Sequence, residues 1–496
     1  MAYGWLTKTA AVAQLQARLY GSVFWSSAEA FVYITESLRL WNALTEQWNS
    51  DYTLTMANGS WIDTSVATNS PRIRTVTDAY LYGQMCYMLM EPQLVSGAWA
   101  GTNQFALSDL QTALQKRIQE VIQATACTFT TVTVSATPGT RRYALPDTVL
   151  QPRRIRFFPV VVNTTGSTVA GSQQTTLASV SGVAVGQVIV GWPLASGNST
   201  VSSGVFVTEI SGSVVTVSLP ATSTVSVQTL QFSNPITLTR EDTLAMQDYN
   251  PSVFQTSGTP QSWSMVSEPP LSFDVDYAPN TAGTFEVLAL TSGPSGDPTD
   301  AVLVGVPDDW SWLPMYGALS DVLSREPEAT DKARADYCLK RFTDGLQMMR
   351  DSNWLLQASI NGVMADTPSI YEKDVYSPEW QQGGMYPSLV QAGIDYIAPT
   401  PGYGQSVTMT LVGNAPLLDV TGTYVQVSRD DWSAVLGMAH HVASFKHGGV
   451  DFARTMTLAT DFYRAAAAVN KRILSYGPMA DLLRTEGQRQ EKTELR

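Results

Sequence analysis

Residues 105–146 read FALSDLQTALQKRIQEVIQATACTFTTVTVSATPGTRRYALP, and they join a helical pattern to two strand-like patterns. In the first half, apolar side chains recur every three or four positions, as on one face of an amphipathic helix. These side chains are Leu107, Leu110, Leu114, Ile118, Val121 and Ile122. In the second half, polar and apolar residues alternate on both sides of Pro138-Gly139, a pair typical of turns. The stretch therefore predicts a helix followed by a β-hairpin.

The residues before this stretch repeat the same order. SSAEAFVYITESLRLWNALTEQW, residues 26–48, has helical spacing behind two capping serines, and DYTLTMANGSWIDTS, residues 51–65, predicts a hairpin with an Asn-Gly turn. TVTDAYLYGQMCYMLMEP, residues 75–92, predicts a further helix that Pro92 would end. Helix followed by hairpin thus occurs twice, as a similarity of architecture without residue-level identity.

Residues 164–233 change character abruptly. They contain a single charged residue, Glu209, and are dominated by Val, Thr, Ser and Gly. Short alternating runs such as VGQVIVGW and SVVTVSL are separated by turn residues, which predicts a small antiparallel sandwich or barrel inserted in a loop. The alternative is a disordered Ser/Thr-rich linker, which the β-branched periodicity disfavours.

The predicted fold class is α+β: a helical core with β-hairpins and strands, an inserted small all-β domain and a C-terminal helical extension. The chain divides into six segments. They are a first core part (1–163), the β insert (164–233), a second core part with strands and a helical pair (234–350), an extended arm with strands (351–427), a second helical pair (428–475) and a charged C-terminal tail (476–496).

Two pairs of acids precede the predicted helical pairs. Asp308-Asp309 and Asp430-Asp431 each stand in an Asp-Asp-Trp-Ser sequence at the start of a helix. Acids in that position stabilise the helix N-terminus, so all four are candidate helix caps rather than general acids or bases.

Composition limits the function further. The chain has 496 residues, 15% of them charged, with 30 Lys and Arg against 43 Asp and Glu, for a net charge of −13. The charged fraction is well below the roughly 25% of ordinary soluble domains, which indicates surfaces covered by neighbours. The acidic balance argues against a protein that grips nucleic acid through its phosphates. The N-terminus lacks a signal-peptide pattern, and no apolar run is long enough to span a bilayer, so no membrane partner is expected.

Cysteine and histidine offer little chemistry. Cys86, Cys127 and Cys338 are far apart and predict buried apolar residues in a reducing, intracellular setting. All three histidines, His440, His441 and His447, lie in one segment before Asp451. Interface or core histidines are the favoured interpretation there and a metal site the weaker one. Nucleotide-binding, hydrolase and metalloprotease motifs are missing, so no cofactor, metal or catalytic residue is predicted and the protein is not expected to be an enzyme.

One basic cluster stands out in TRRYALPDTVLQPRRIRFF. Its members are Arg141, Arg142, Arg153, Arg154 and Arg156, and the C-terminal tail adds Arg484, Arg489 and Lys492 as candidate subunit or partner contacts. Arg154 and Arg156 would share one strand face, with Arg153 opposite. Salt bridges to acidic protein neighbours are favoured over phosphate contacts because the chain is acidic. The alternative is a solvated strand edge protected by arginine.

Several stretches together resemble the head-to-tail connector, or adaptor, proteins of tailed bacteriophages. The resemblance covers residues 1–160 and 234–350. It rests on SLRLWNALTEQW…TVTDAYLYGQMCYMLMEP, FALSDLQTALQKRIQEVIQAT…RRYALPDTVLQPRRIRF, GTPQSWSMVSEPPLSFDVDYAP and VPDDWSWLPMYGALSDVLSREPEATDKARADYCLKRFTDGLQMM. The insert is similar to a small β module common in phage structural proteins. The insert itself and residues 351–496 depart from simple connectors.

The resemblance implies a structural virion protein, made in the host cytoplasm, that docks under the portal in the neck or tail. It implies a homo-oligomeric ring, typically dodecameric, that extends the DNA channel and serves DNA ejection. Its expected partners are other copies of itself, the portal protein, tail, nozzle or fibre proteins, and genomic DNA that passes without sequence-specific binding. Alternatives are a tail tube, nozzle or fibre-attachment ring, and a glycan-degrading tail enzyme with two acids in a cleft.

Overall fold

The computed structural model describes residues 6–19, 24–55, 62–63, 74–91, 105–193, 205–249, 256–291, 303–325, 331–352, 354–376, 388–398, 406–412 and 423–478. Helices and strands are both abundant in this part of the chain, and the prediction of an α+β fold is confirmed.

The helices of the described residues carry the labels used below. They are α1 (Lys8–Arg18), α2 (Ser27–Thr45), α3 (Asp78–Leu89), α4 (Leu107–Thr125), α5 (Thr243–Tyr249), α6 (Trp312–Arg325), α7 (Lys332–Asp351), α8 (Ile370–Tyr376), α9 (Arg429–Ser444), α10 (Gly449–Arg454) and α11 (Met456–Val469). Short 3₁₀ helices span Asp308–Trp310 and Lys471–Ser475.

The strands are likewise numbered in chain order. They are β1 (Leu6–Thr7), β2 (Asn49–Thr55), β3 (Ile62–Asp63), β4 (Phe129–Ala136), β5 (Arg142–Ala144), β6 (Val149–Pro159), β7 (Val162–Thr168), β8 (Gln174–Leu177), β9 (Val188–Val190), β10 (Val207–Ser211), β11 (Val214–Val217), β12 (Val225–Ser233), β13 (Ile236–Arg240), β14 (Ser257–Gly258), β15 (Ser262–Val266), β16 (Ser272–Val275), β17 (Ala278–Pro279), β18 (Gly283–Thr291), β19 (Leu355–Ile360), β20 (Val363–Met364), β21 (Val390–Ala392), β22 (Asp395–Ala398), β23 (Ser406–Val412) and β24 (Tyr424–Val425).

Three sheets contain most of these strands. A seven-stranded sheet has the order β4-β18-β6-β13-β15-β16-β5, a six-stranded sheet the order β10-β11-β8-β7-β12-β9, and a four-stranded sheet the order β2-β23-β19-β20. Smaller sheets are β21-β22-β3, β1-β24 and β14-β17. Pairing in the three large sheets is antiparallel except between β13 and β15.

One helical core joins segments that are distant in the chain. The helices α4 and α7 pack against α6, and α2 and α11 pack against α9. On α4 the buried side chains follow the predicted apolar stripe, which faces α6. The core also contains buried residues of α1, α2 and α9, so the predicted segments 1–163, 234–350 and 428–475 share one hydrophobic interior.

The two predicted hairpins are wrong in their pairing. The strand β4 pairs with β18, and β5 pairs with β16, so the two strands beside Pro138-Gly139 lie at opposite edges of the seven-stranded sheet. Similarly, β2 pairs with β23 and β3 with β22. The predicted turn at Asn58-Gly59 lies outside the described residues. Local alternation identified strands, but their partners lie more than a hundred residues away.

The insert is an elaborated connection between neighbouring strands. Its six-stranded sheet begins directly after β6 and ends directly before β13, and these two strands pair through Ile236 and Phe157. The entry strand β7 pairs with the exit strand β12, so the insert leaves and rejoins the seven-stranded sheet at one place. Its own core surrounds the fully buried Trp192 and Phe232. The all-β prediction for this segment agrees with its strands.

The described parts of residues 351–427, predicted as an extended arm with strands, contain strands that belong to folded sheets. The strand β23 lies between β2 and β19 and pairs with both over most of its length. Trp354, Tyr396 and Met409 are buried in a separate small core there. The alternation of SVTMTLV marked β23 correctly, but its partner in the N-terminal region is not visible from local sequence.

Candidate functional site

The five clustered arginines do not form one surface. Arg154 and Arg156 share a strand face as expected, but both are buried and point to Glu286 of the neighbouring strand β18. Arg156 donates through Nε and Nη2 to Glu286 Oε1 at 2.9 and 2.5 Å, and Arg154 Nη2 lies 4.0 Å from the same oxygen. The expected role in contacts with other proteins is therefore wrong for these two residues, because their acidic neighbour belongs to the same chain.

Arg142 and Arg141 also have partners within the chain. Arg142 lies opposite Asp274 on β16 and donates two hydrogen bonds of 2.8 Å to its carboxylate. Arg141 Nη2 donates to the carbonyl of Thr256 at 3.1 Å. Arg142 remains largely exposed, so a further contact to another protein stays a prediction for it.

Arg153 lies on the opposite face of its strand and takes part in a different site. A cleft of about 670 Å³ brings it together with Arg240 at the end of β13 and Arg350 in the last turn of α7. The other lining residues come from the C-terminal end of α4, from β4, from the start of α8 and from the turn between β21 and β22. They are Ala124, Thr125, Ala126, Phe129, Ile370, Tyr371, Gly393 and Ile394.

Three of the side chains that line this arginine cleft are cationic. Within the described part of the chain, no carboxylate forms an ion pair with Arg153, Arg240 or Arg350. Burial and the neighbouring Arg240 lower the pKa of the Arg153 guanidinium. The Arg240 guanidinium lies 5.6 Å from the ring centroid of Trp263. The cleft is thus a cationic recess on an acidic protein, suited to anions.

Sequence reasoning found one of these three arginines and missed two. Arg240 occurs in PITLTRED and Arg350 in GLQMMRD, and each is followed directly by an acidic residue. Neither sequence therefore appears as a basic cluster. The pairing of β6 with β13 brings Arg240 near Arg153, and the position of α7 adds Arg350; no local sequence pattern shows either.

Exposed apolar side chains extend from one rim of the cleft. Tyr371 is 78% exposed at the start of α8, and Tyr376 at its end is 81% exposed. Val363, Met364 and Val375 of the same region are also exposed. Exposed apolar and aromatic side chains grouped on one short helix, as Tyr371, Val375 and Tyr376 are on α8, are typical of contact surfaces. We call Val363, Met364, Tyr371, Val375 and Tyr376 the apolar strip.

His441 is a core residue within a hydrogen-bonded network. Its Nε2 lies 2.8 Å from the Tyr337 hydroxyl, which also accepts a 2.8 Å hydrogen bond from Arg341 Nη1. The Thr455 hydroxyl donates to the Phe452 carbonyl at 2.7 Å, so it accepts from Nδ1–H of His441. Nε2 then carries no proton, and the Tyr337 hydroxyl donates to it. His441 Nδ1–H then donates to Thr455 Oγ1 at 2.9 Å, and Arg341 Nη2 donates to Glu36 Oε1 at 2.5 Å.

This network fixes the charge of its members. Burial, Arg341 and His440 together lower the pKa of His441 to about 3, so its imidazole is neutral. Burial alone would lower the pKa of Arg341, but Tyr316, Tyr337 and Glu36 raise it well above its ordinary value. The network therefore links α2, α7 and α9 through one buried cation and a neutral imidazole, and it offers no lone pair to a metal.

The other histidines and the cysteines are structural as well. His447 stacks on Trp25 at 4.8 Å between ring centroids, and its Nδ1 lies 3.9 Å from Asp451. In the described ranges, no group of histidine, cysteine and acidic side chains could hold a metal ion. The three cysteines are free and buried, as predicted, and burial raises the pKa of the Cys86 thiol to about 12.

The predicted caps are corrected. Pro307 is the N-cap of the first 3₁₀ helix, and neither Asp308 nor Asp309 caps it. The buried Asp308 carboxylate instead accepts hydrogen bonds from the backbone N–H of Thr75 (2.7 Å) and of Val76 (3.1 Å), and from the Thr75 hydroxyl (2.6 Å). It joins the 3₁₀ helix to the segment before α3, a role that local sequence does not show.

The second acid pair lies one step inside its helix. Ser428 caps α9 by accepting from the N–H of Asp431, whereas Asp430 and Asp431 occupy the first turn. They still favour the helix through its dipole, but the smaller hydroxyl side chain makes the cap. Arg484, Arg489 and Lys492 lie outside the described residues.

The sequence was compared with protein-family models and with curated proteins. No protein-family model matches the chain, and no curated protein is similar enough to be recognised as related. Among the helices described above, none combines the length and apolar composition needed to cross a membrane. The function is therefore argued from the arginine cleft, the apolar strip and the distribution of charge.

Proposed function

We propose that this protein is a structural subunit of a ring in the neck of a tailed-bacteriophage virion. The ring would join the portal vertex to the tail and extend the DNA channel. The apolar strip carries the proposal, because two tyrosines about four-fifths exposed at the ends of one short helix are typical of a surface that binds another protein. Tyrosine is enriched where subunits meet, and a ring repeats one such contact around its axis.

The charge distribution supports a passive channel rather than a nucleic-acid grip. The net charge is −13, and the charged basic side chains of the seven-stranded sheet at Arg142, Arg154 and Arg156 are neutralised by acids of the same chain. A ring of such subunits would present an acidic lumen that DNA could pass without adhering. Counterion release, the main driving force of binding to duplex DNA, would be small.

The β insert supports an outward-facing decoration. It is attached to the seven-stranded sheet at a single junction, where Phe158 of β6 and Val188 of β9 are buried together beside Phe206. A module attached in this way can be added to a core fold without altering the pairing of β6 with β13. In the proposed ring it would contact capsid, tail or fibre proteins.

The experiment is native mass spectrometry and electron microscopy of the purified full-length protein, together with mass spectrometry of purified virions. A closed ring, expected to contain about twelve copies, and presence in virions are the outcomes that support the proposal. A protein that stays monomeric at all concentrations and is missing from virions would refute it.

A paired variant tests the surface that carries the proposal. Tyr371→Ser combined with Tyr376→Ser should reduce ring formation, since it removes the two most exposed aromatic side chains of the strip. Val227→Ser is the matched control, because Val227 is 71% exposed on the β insert, away from the strip. Rings of equal yield from both variants would show that the strip is not the subunit contact.

A further inference from the structure

Arg153 and Arg240 repel each other in the arginine cleft, and a bound anion would reduce this repulsion. The pairing of β6 with β13 ends at Ile155 and Leu238, two residues before Arg153 and Arg240 respectively, and both arginines line the cleft. Like charges that lie close together on neighbouring strands repel each other. The lowered pKa of Arg153, caused by burial and by Arg240, reflects the same repulsion.

The third cation comes from a separate structural unit. Arg350 belongs to the last turn of α7, whereas Arg153 and Arg240 belong to the seven-stranded sheet. All three arginines are exposed and line one recess whose walls are made by helix, sheet and turn. The packed fold therefore brings three cationic side chains from two structural units to one cleft.

We propose that the arginine cleft binds carboxylate side chains of an acidic segment on a second copy of this chain. This inference rests on the proposed ring, and it identifies the polar half of the contact between subunits. The guanidinium groups would donate paired hydrogen bonds to carboxylates, the geometry for which arginine is best suited. The apolar strip would cover the adjoining apolar surface of the same neighbour.

Charge complementarity favours a second copy as the occupant. The chain has 43 acidic side chains against 30 basic ones, so any neighbouring copy presents an excess of carboxylates. Two subunits of net charge −13 repel each other at long range, and an unpaired cationic recess is the feature that would offset this repulsion locally. A contact between a cleft and a different surface is heterologous, which is the kind of contact that closes into rings.

Duplex DNA fits the cleft less well. The recess is concave, and its lining includes the apolar residues Phe129, Ile370 and Ile394. The sugar-phosphate backbone of DNA would not cover such residues favourably. The overall negative charge also opposes the approach of a polyanion. DNA binding through this cleft is therefore treated as the competing outcome of the test.

The test is a double charge reversal, Arg153→Glu with Arg350→Glu, in the full-length protein. Arg240 is left unchanged because its guanidinium lies over the Trp263 ring. The matched control is Arg325→Glu with Arg429→Glu, which changes the net charge equally at two exposed arginines outside the cleft. Circular dichroism and thermal melting establish that both variants are folded.

Sedimentation velocity over a range of protein and salt concentrations then measures self-association. We expect the cleft variant to associate at least about tenfold more weakly than the wild type, and the control to change by less than about threefold. The difference between cleft variant and wild type should shrink at high salt, because salt screens charge pairs.

Three results would overturn the inference. If the cleft variant forms rings with wild-type affinity, the cleft is not a subunit contact, although the proposed ring function would stand. If fluorescence anisotropy with a labelled DNA duplex shows wild-type binding that only the cleft variant loses, while self-association is unchanged, the cleft is a phosphate site. A wild type that never associates would refute both the ring and the cleft contact.

Discussion

Replacing His441 with glutamine removes an imidazole that is buried in the neutral form. The structure lowers the pKa of His441 from 6.5 to about 3, through burial and through the positive charges of Arg341 and His440. Protonation would place a second N–H against the Tyr337 hydroxyl, which already accepts from Arg341. The protonated form therefore loses a hydrogen bond and meets a buried cation, whereas the unfolded chain accepts the proton freely.

The sign and size of the pH effect follow from this difference. Below pH 6.5, His441 is protonated in the unfolded state but stays neutral in the folded state. The free energy of unfolding therefore decreases as the pH falls, down to about pH 3. The contribution of His441 to the free energy of unfolding is fully present above pH 6.5, the pKa of histidine in the unfolded chain. At pH 5 this contribution has decreased by about 2 kcal/mol. A His441→Gln variant, destabilised at pH 7 by its altered hydrogen bonds, lacks this pH-dependent loss.

Urea denaturation followed by tryptophan fluorescence at several pH values from 7.5 to about 5 measures the effect. We expect the difference in unfolding free energy between wild type and His441→Gln to narrow by about 2 kcal/mol over this range. Val227→Ser is the control, because it removes no titratable group from an exposed position, and its difference from the wild type should stay constant over this pH range. A constant difference for His441→Gln would refute the assignment of a neutral, buried imidazole.

Three further predictions concern stability and reactivity. Asp308→Asn should destabilise the protein by about 2–3 kcal/mol, because the carboxylate that accepts hydrogen bonds from two backbone N–H groups becomes an amide. Asp430→Asn is the control: this residue is exposed, and its replacement should change stability by less than about 0.5 kcal/mol in the same urea assay. Gly345→Ala should lower stability by about 1–3 kcal/mol, because the added Cβ would lie less than 3 Å from side-chain atoms of the facing helix. Gly437→Ala should be neutral or stabilising, because its Cβ would make only ordinary contacts. Thermal melting of both variants measures the difference. The three buried cysteines should resist iodoacetamide at pH 8 until urea unfolds the chain, and rapid modification of the folded protein, measured by mass spectrometry, would contradict their burial.

The helices could be predicted from the sequence because their determinants are local. The apolar stripe of α4 and the Ser26 cap of α2 lie within one or two turns of the backbone they organise. Helix periodicity also survives tertiary packing, since the stripe that marks the helix is the face it buries. Cap positions were less predictable, because Ser428 and Asp430 are both good caps by composition and only the backbone angle at Ser428 decides between them.

Strand pairing could not be predicted in the same way. Alternation identifies a strand and its two faces, but it carries no information about which strand lies alongside. The turn at Pro138-Gly139 favoured a local hairpin, yet β4 gains a longer partner in β18, with eight paired positions. The same limitation concealed the arginine cleft, since the neighbours of Arg153 are set by the pairing of β6 with β13 and by the docking of α7.

Arg156 and Arg153 lie on opposite faces of one strand and differ in the charged groups around them. On one face, Arg156 and Arg154 meet Glu286 in a buried cluster whose charges are compensated within the chain. On the other face, Arg153 and Arg240 line the same cleft. No carboxylate among the residues that the structure describes forms an ion pair with either of them. If both faces served stability alone, an acid at either position 153 or 240 would be more favourable than a second arginine. The charge-reversal experiment tests whether an anionic partner compensates the charges of this second face, as proposed above.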